Sequence, residues 1–305
     1  MALPTAPIKV DKISLVGPGV VILTGPSSCG KGEVAAALCR TLSIDQNHHL
    51  SMGDILRETY HKAKIDQGYA QLLAEKYNIS QANNIFDCVD TTPDLIEKVR
   101  NYTSEMEAFF QRAGMATFTS QLEWLEFCTT RGLLVPNRWT HNFIAAHIEH
   151  NLDFQEHPFI LDGYPRTVIA AEKLVSFLRS IDIPIIKVLH LSISKQEMIY
   201  RAQHRGRVDD DQDALLRRYN FYVENVQPSV DYLKKALGSE YIALIDAHQP
   251  IYDCSEGQRH FNLEKSIAMV AAEALRSIGV PRQIIQNLLD LPASSSVPIT
   301  GLPHS

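Results

Sequence analysis

The sequence predicts an α/β fold in which a parallel β-sheet is flanked by helices. Short runs of β-branched and aliphatic residues recur along the chain, and each has the length of a buried strand. They are Val20–Leu23, Phe159–Leu161, Ile185–Leu191 and Tyr241–Ile245. Between them, apolar residues follow helical spacing, for example over Glu172–Leu178 and Asp213–Val226. Strands that alternate with helices pair in parallel and are covered on both faces.

The composition is that of a globular protein. The chain has 305 residues, of which 45% are hydrophobic and 21% charged, enough for one large core with appended modules. A net charge of −6 gives no general attraction to nucleic acid or anionic membranes. The sequence contains neither a signal peptide nor an apolar stretch of about 18 residues. We therefore expect a cytoplasmic protein without nucleic acid or membrane partners.

The first predicted strand leads into a glycine-rich loop. Gly25-Pro26-Ser27-Ser28-Cys29-Gly30-Lys31 matches the pattern G-x-x-x-x-G-K, and Val34, Leu38 and Leu42 then follow at helical spacing. In such a loop the glycines let backbone N–H groups surround phosphate oxygens, and the lysine reaches the β and γ phosphates. The strand before and the helix after favour phosphate binding over an ordinary glycine turn.

The residue after the lysine is Gly32, and this Gly-Lys-Gly ending resembles the nucleoside monophosphate kinases. Further stretches resemble family motifs in the family's order. Residues 51–57 (SMGDILR) are similar to its first acceptor motif, 131–136 (RGLLVP) to the segment lining the acceptor base, and 159–167 (FILDGYPRT) to its D-G-[FY]-P-R signature. Arg201, Arg205 and Gly206–Asp210, followed by Arg218, resemble the lid and its exit helix.

The resemblance covers about 20–57 and 131–250, and it implies a P-loop NTPase-type core made of residues 1–58 and 131–250, with a lid at about 201–211. It implies a transferase that moves the γ-phosphate of ATP to a nucleoside monophosphate with Mg²⁺. The catalytic residues it implies are Lys31, Asp162, Arg166, Arg207 and Arg218. The implied ATP-binding residues are Gly25, Ser27, Ser28, Cys29, Gly30, Lys31, Gly32, Glu33, Arg201 and Arg205. The implied acceptor-binding residues are Ser51, Met52, Arg57, Val135, Gly163, Arg166 and Ala170. Asp162 is the implied magnesium residue, directly or through water.

The sequence departs from the family pattern at four points. Glu33 replaces a threonine, and a carboxylate there repels a triphosphate unless a metal ion lies between them. Met52 replaces a small residue or threonine, and Ala170 replaces the amide that reads the acceptor base. The lid is reduced to Gly206 between two arginines. Two alternatives therefore stay open beside the nucleotide kinase: a catalytically weak nucleotide-binding or regulatory protein, and a kinase of another phosphorylated small molecule.

Two further regions flank this core. Residues 59–130 are predicted to be a helical insertion in the acceptor-binding region, with segments at 66–77, 93–112 and 118–128. This insertion is a candidate flap and a candidate surface for a protein partner. Residues 251–292 are predicted to be a C-terminal helical extension, and 293–305 a disordered tail.

Overall fold

The computed structural model describes residues 13–83, 111–112, 120–131, 135, 137–205, 212–255 and 258–289. Its centre is a five-stranded parallel sheet in the order β2-β3-β1-β4-β5. The strands are β1 (Gly19–Thr24), β2 (His49–Ser51), β3 (Pro158–Asp162), β4 (Ile185–Ser192) and β5 (Ile242–Asp246). The predicted α/β fold with a parallel sheet is confirmed.

Helices cover both faces of this sheet. In chain order they are α1 (Lys31–Leu42), α2 (Met52–Ile65), α3 (Gln67–Glu75), α4 (Gln121–Arg131), α5 (Asn137–His150), α6 (Val168–Ser180), α7 (Lys195–Arg205), α8 (Gln212–Phe221), α9 (Gln227–Leu237), α10 (Leu263–Ile278) and α11 (Arg282–Leu288). A π-helical turn, Tyr222–Val226, joins α8 to α9. Within the described residues, no helix has the length and apolar character needed to cross a membrane.

The alternation of side chains along β1 divides the core into two layers. Val20 and Ile22 pack with α2 to α6 on one face, and Val21 and Leu23 pack with α1, α10 and α11 on the other. This follows from the period of two in a strand, because successive side chains point to opposite faces. All four of these side chains are fully buried, as expected for the central strand of a parallel sheet.

The sheet order creates a crevice at the carboxyl ends of β1 and β3. These strands are neighbours, but the helix after β1 lies on one face and the helix after β3 on the other. In open α/β sheets, ligands bind where the connections diverge in this way. The glycine-rich loop follows β1, and the D-G-Y-P-R turn follows β3, so both open into this crevice.

The described part of the predicted insertion belongs to the main core. Helix α3 corresponds to the predicted segment 66–77, and α4 to the segment 118–128. Tyr69, Leu73 and Trp124 are buried in the same cluster as the sheet residues of that face. The predicted segment 93–112 lies outside the described residues except for 111–112, which are helical.

The predicted helical extension needs a correction at its start. Residues Tyr252–Ser255 and Gln258–Phe261 form an antiparallel hairpin, β6 and β7, and the helices begin only at Leu263. The physical reason is that aromatic side chains pair across these strands, with the Tyr252 and Phe261 rings 5.8 Å apart. Helical apolar spacing starts after Asn262, whose side chain accepts a hydrogen bond from the Lys265 N–H and caps α10. The predicted tail at 293–305 lies outside the described residues.

Candidate active site

The glycine-rich loop connects β1 to α1 in a conformation that only some residues tolerate. Gly25 has φ 147°, and a Cβ there would lie 2.4 Å from the Leu191 carbonyl oxygen. Ser28 and Gly30 have φ 58° and 89°, in the left-handed region. Gly30, the N-cap residue of α1, has no side chain to cap the helix, so the first-turn N–H groups face the crevice end of the sheet. A helix N-terminus of this kind favours an anion.

Lys31 folds back over this loop. Its Nζ donates hydrogen bonds to the carbonyl oxygens of Pro26 (2.8 Å) and Gly25 (3.3 Å). The Sγ of Cys29 lies 3.6 Å from the same nitrogen. Burial raises the pKa of the Cys29 thiol, although Lys31 opposes this, so the sulfur stays protonated. The ammonium charge is therefore held at the mouth of the loop, where phosphates would bind.

The other residues expected to bind ATP differ in exposure. Ser27, Ser28 and Gly30 are partly exposed. The hydroxyl oxygen of Ser28 is itself buried, and it has no hydrogen-bond partner among the described residues. Gly32 and Glu33 are exposed on the first turn of α1. The Glu33 carboxylate therefore has access to water, which screens its repulsion of a nearby triphosphate.

Asp162 ends β3 beside the loop. It pairs in register with Leu23 of β1 on one side and Ser51 of β2 on the other. One carboxylate oxygen lies 3.3 Å from Nε2 of His49, a residue that the sequence analysis did not select. Within the described residues, no group of three or more His, Cys, Asp or Glu side chains is arranged to hold a metal ion. A single carboxylate beside a phosphate site fits Mg²⁺, which keeps several waters and binds through one or two carboxylates plus phosphates.

The D-G-Y-P-R turn carries Arg166 back towards Asp162. Gly163 has φ 79°, and its carbonyl oxygen accepts a hydrogen bond from Arg166 Nε at 2.9 Å. The Arg166 side chain is exposed to solvent in part. The surrounding protein nevertheless desolvates the guanidinium enough to lower its pKa. Asp162 opposes this shift, and Arg218 adds to it. Arg166, Asp162 and Arg218, from three separate elements, thus lie within electrostatic reach of one another.

A buried tyrosine holds this turn in place. Tyr164 is 1% exposed, and its hydroxyl donates to the Ala170 carbonyl oxygen at 3.3 Å. The hydroxyl also lies 3.1 Å from Nδ1 of His141 on α5. Ala170 is itself buried at the start of α6, so its side chain does not reach the crevice surface.

The first acceptor motif begins α2. Ser51 ends β2, and Arg57 lies on the exposed side of α2, paired with Asp54. The Met52 side chain is only 8% exposed and belongs to the hydrophobic core, and Val135 packs against that core. The motif therefore places a charged side chain at the surface and an apolar one inside.

The predicted lid residues are described only in part. Arg201 on α7 donates through Nε to Glu197 at 2.6 Å and through Nη2 to the Ala247 carbonyl oxygen at 3.0 Å. Although burial raises it, the pKa of Glu197 is lowered overall by Arg201 and His248. The side chain of Arg205 and the whole of Arg207 lie outside the described residues. Arg201 is thus tied to the loop after β5.

Two further residues near the phosphate loop were missed by the sequence analysis. His190 lies on β4 in register with Thr24, the residue before Gly25, and is 6% exposed. Its Nε2 lies 2.9 Å from the hydroxyl of Tyr222, and the two rings are almost parallel, at 6°. The sequence feature that could have indicated this pair is His190, a histidine within the apolar run Ile185–Leu191.

Sequence comparisons match this chain to adenylate kinases. A family model described as adenylate kinase matches residues 108–237. An adenylate kinase from Corynebacterium urealyticum is 27% identical over 236 residues, which cover 77% of this chain and 94% of the relative. An adenylate kinase from Oenococcus oeni is 32% identical over 137 residues, 45% of this chain and 71% of the relative. The chain belongs to the nucleoside monophosphate kinase family.

This membership confirms the family that the sequence motifs indicated, with its P-loop kinase fold and nucleotide-binding loop. Among solved structures, a gluconokinase from Sinorhizobium meliloti 1021 aligns with 89% of the present chain and 95% of its own chain. The sequence identity is 14% and the TM-score is 0.35. That likeness is too low to bear on the acceptor.

Proposed function

We propose that this protein transfers the γ-phosphate of ATP to a nucleoside monophosphate in the presence of Mg²⁺. The observation that carries the proposal is the convergence of Lys31, Asp162, Arg166 and Arg218 at the carboxyl ends of β1 and β3. Phosphoryl transfer depends mainly on positioning and on positive charge around the moving group. The crevice offers both.

The donor side is the loop from Gly25 to Lys31. Its left-handed residues and the uncapped start of α1 provide N–H donors for the β and γ phosphates. Lys31 exchanges its two carbonyl partners for phosphate oxygens when ATP binds, because a charge-assisted hydrogen bond to a phosphate is stronger than one to a neutral carbonyl.

The acceptor side is formed by Arg57 and Arg166. Arg57 is exposed and paired with Asp54 in a contact that water weakens, so it is available to a phosphate. Arg166 stands next to Asp162, and its planar guanidinium suits bidentate contact with phosphate oxygens. Two arginines at this position suit an acceptor that already carries a phosphate.

The pairing of Arg166 with Arg218 favours transfer over simple ATP binding. Arg218 lies close enough to Arg166 to lower the pKa of the Arg166 guanidinium, so the two positive charges repel one another, and an anion placed between them removes that repulsion. Asp162 offers a carboxylate through which Mg²⁺, when bound, would be held, directly or by water, and the ion supplies positive charge between the phosphates. His49 fixes the orientation of that carboxylate.

The acceptor base is read less strictly than the acceptor phosphate in this proposal. Ala170 has no amide, and its methyl group is buried rather than facing the crevice. Without a side chain that hydrogen-bonds to the base, the site discriminates less between bases. A wrong base is rejected strongly only when it leaves a buried polar group of the site without a partner. We expect AMP, the acceptor named by the relatives' description as adenylate kinases, to be accepted together with other monophosphates.

The test measures nucleoside diphosphate formation from ATP, Mg²⁺ and each of AMP, CMP, UMP, GMP and dTMP. Lys31→Ala and Arg166→Ala should lower kcat/KM by about 10²-fold or more, because each removes a cation from the transition state. Arg179→Ala is the matched control, since Arg179 is exposed in the last turn of the helix that follows Arg166. ATP binding that depends on Lys31, without turnover of any acceptor, would overturn the proposal in favour of a nucleotide-binding protein.

A further inference from the structure

His190 and Tyr222 form a buried polar pair under the phosphate loop. The Nε2 of His190 lies 2.9 Å from the Tyr222 hydroxyl, and their ring centroids are 5.8 Å apart. Both residues are almost fully buried, and the Tyr222 hydroxyl also accepts a hydrogen bond from Gln227 Nε2 at 3.4 Å. The His190 Nδ1 has no partner among the described residues. A polar pair kept in a largely apolar layer calls for a physical explanation.

Each member of the pair belongs to a different part of the site. His190 is in register with Thr24, so it lies directly beside the start of the phosphate loop. Burial lowers the pKa of His190 to about 4, and the nearby charge of Lys31 contributes, with Asp231 opposing. The histidine is therefore neutral near pH 7 and holds Tyr222 by an uncharged hydrogen bond.

Tyr222 directly follows the helix that carries Arg218. It follows Arg218 by four residues, so the two side chains lie on the same face of the helix, one turn apart. Tyr222 also opens the π-helical turn Tyr222–Val226. Pro228 stands at the start of α9 and lacks the N–H that a regular helix would use, which explains why the helix widens here. Such turns occur frequently at functional sites.

We propose that Tyr222 and His190 are positioning residues that hold Arg218 at a fixed distance from the phosphate loop. A widened turn leaves the direction of α8 weakly determined by its own backbone, and the His190–Tyr222 hydrogen bond supplies the missing constraint from β4. The inference rests on the proposed function, because Arg218 is taken to contact the transferring phosphate. Displacing a phosphate-binding arginine by about 1 Å costs up to about 10²-fold in rate.

The first experiment compares Tyr222→Phe with Tyr219→Phe in the acceptor assay. Tyr222→Phe removes only the hydroxyl, and we expect kcat to fall about tenfold with little change in the KM for ATP. Tyr219 is the matched control, since it lies on the same helix with its ring 6.1 Å from that of Tyr222. Thermal unfolding of both variants separates misfolding from mispositioning. An unchanged kcat in folded Tyr222→Phe would overturn the inference.

The second experiment asks whether the hydroxyl acts through Arg218. In an Arg218→Lys background, Tyr222→Phe should cause no further loss of kcat, because the group it positions is already altered. A tenfold loss in both backgrounds would show a general structural role and overturn the inference.

Binding of diadenosine pentaphosphate, which joins donor and acceptor phosphates in one molecule, provides a readout independent of turnover. Tyr222→Phe should weaken binding several-fold in the Arg218 protein and not in Arg218→Lys. If Tyr222→Phe weakens binding of this molecule only when Arg218 is present, but the wild type transfers no phosphate, the proposed function is refuted and the positioning role of Tyr222 stands. A wild type that neither turns over nor binds it would overturn both.

Discussion

Replacement of Gly25 by alanine tests whether the phosphate loop depends on a residue without a side chain. The new Cβ would lie 2.4 Å from the Leu191 carbonyl oxygen and 3.0 Å from Cys29 Sγ, and the backbone φ of 147° is unfavourable for alanine. The dihedral costs about 1–2 kcal/mol and the overlap with fixed backbone about 1–3 kcal/mol, since the carbonyl cannot move without disturbing β4. We expect a loss of about 2–5 kcal/mol in the free energy of unfolding.

The assay is thermal and denaturant unfolding of Gly25→Ala beside Gly32→Ala. Gly32 lies in the first turn of α1 with nothing within 4 Å of an added Cβ. Alanine there should stabilise the protein by about 0.5–1 kcal/mol, because it loses less backbone entropy on folding. For about 300 residues the Gly25→Ala loss corresponds to a Tm lower by about 3–8 °C. Equal stability of Gly25→Ala and wild type would show that the loop accepts a side chain at this position.

Three further predictions follow from the described contacts. Trp124→Ala should lose about 3–5 kcal/mol of stability in denaturant unfolding, because the indole is 1% exposed and stacks on Phe127; a loss below about 1 kcal/mol would show that α4 is not part of the core. Burial lowers the pKa of His141, His147 and His190 to about 4 in the folded protein. Because these histidines take up protons near pH 6.5 in the unfolded chain, the free energy of unfolding should fall as the pH drops from about 6.5 to about 4. His147→Gln should make that slope less steep by about 1.4 kcal/mol per pH unit, and an unchanged slope would contradict this origin of the pH dependence. His49→Ala should raise the Mg²⁺ concentration for half-maximal rate about tenfold by freeing the Asp162 carboxylate, and an unchanged Mg²⁺ dependence would contradict this role.

The sheet could be predicted where burial leaves a plain signal in the sequence. β1, β3, β4 and β5 are runs of apolar residues, and the predicted segments lie within one or two residues of the observed strands. β2 has only three residues, two of them polar, so periodicity is absent. The hairpin at 252–261 was missed because one exposed aromatic pair, Tyr252 with Phe261, rather than an apolar face defines it.

The candidate site was predictable only where residues near in sequence form it. The glycine loop and the D-G-Y-P-R turn are local motifs, and the fold places both at the same end of the sheet. The pairs His49–Asp162 and His190–Tyr222 join residues separated by 113 and 32 positions, and one sequence carries no sign of such distant pairs. Met52 was expected at the acceptor, but its side chain is buried in the core because it begins the apolar face of α2.

The most direct test of phosphoryl transfer in this crevice follows the γ-phosphate of labelled ATP in wild type and in Arg166→Ala. The label should appear in the nucleoside diphosphate formed from the acceptor, and the rate should fall by about 10²-fold or more without Arg166. Release of the label only as inorganic phosphate, or transfer at the same rate without Arg166, would contradict the claim that the crevice between β1 and β3 holds both the donor and the acceptor.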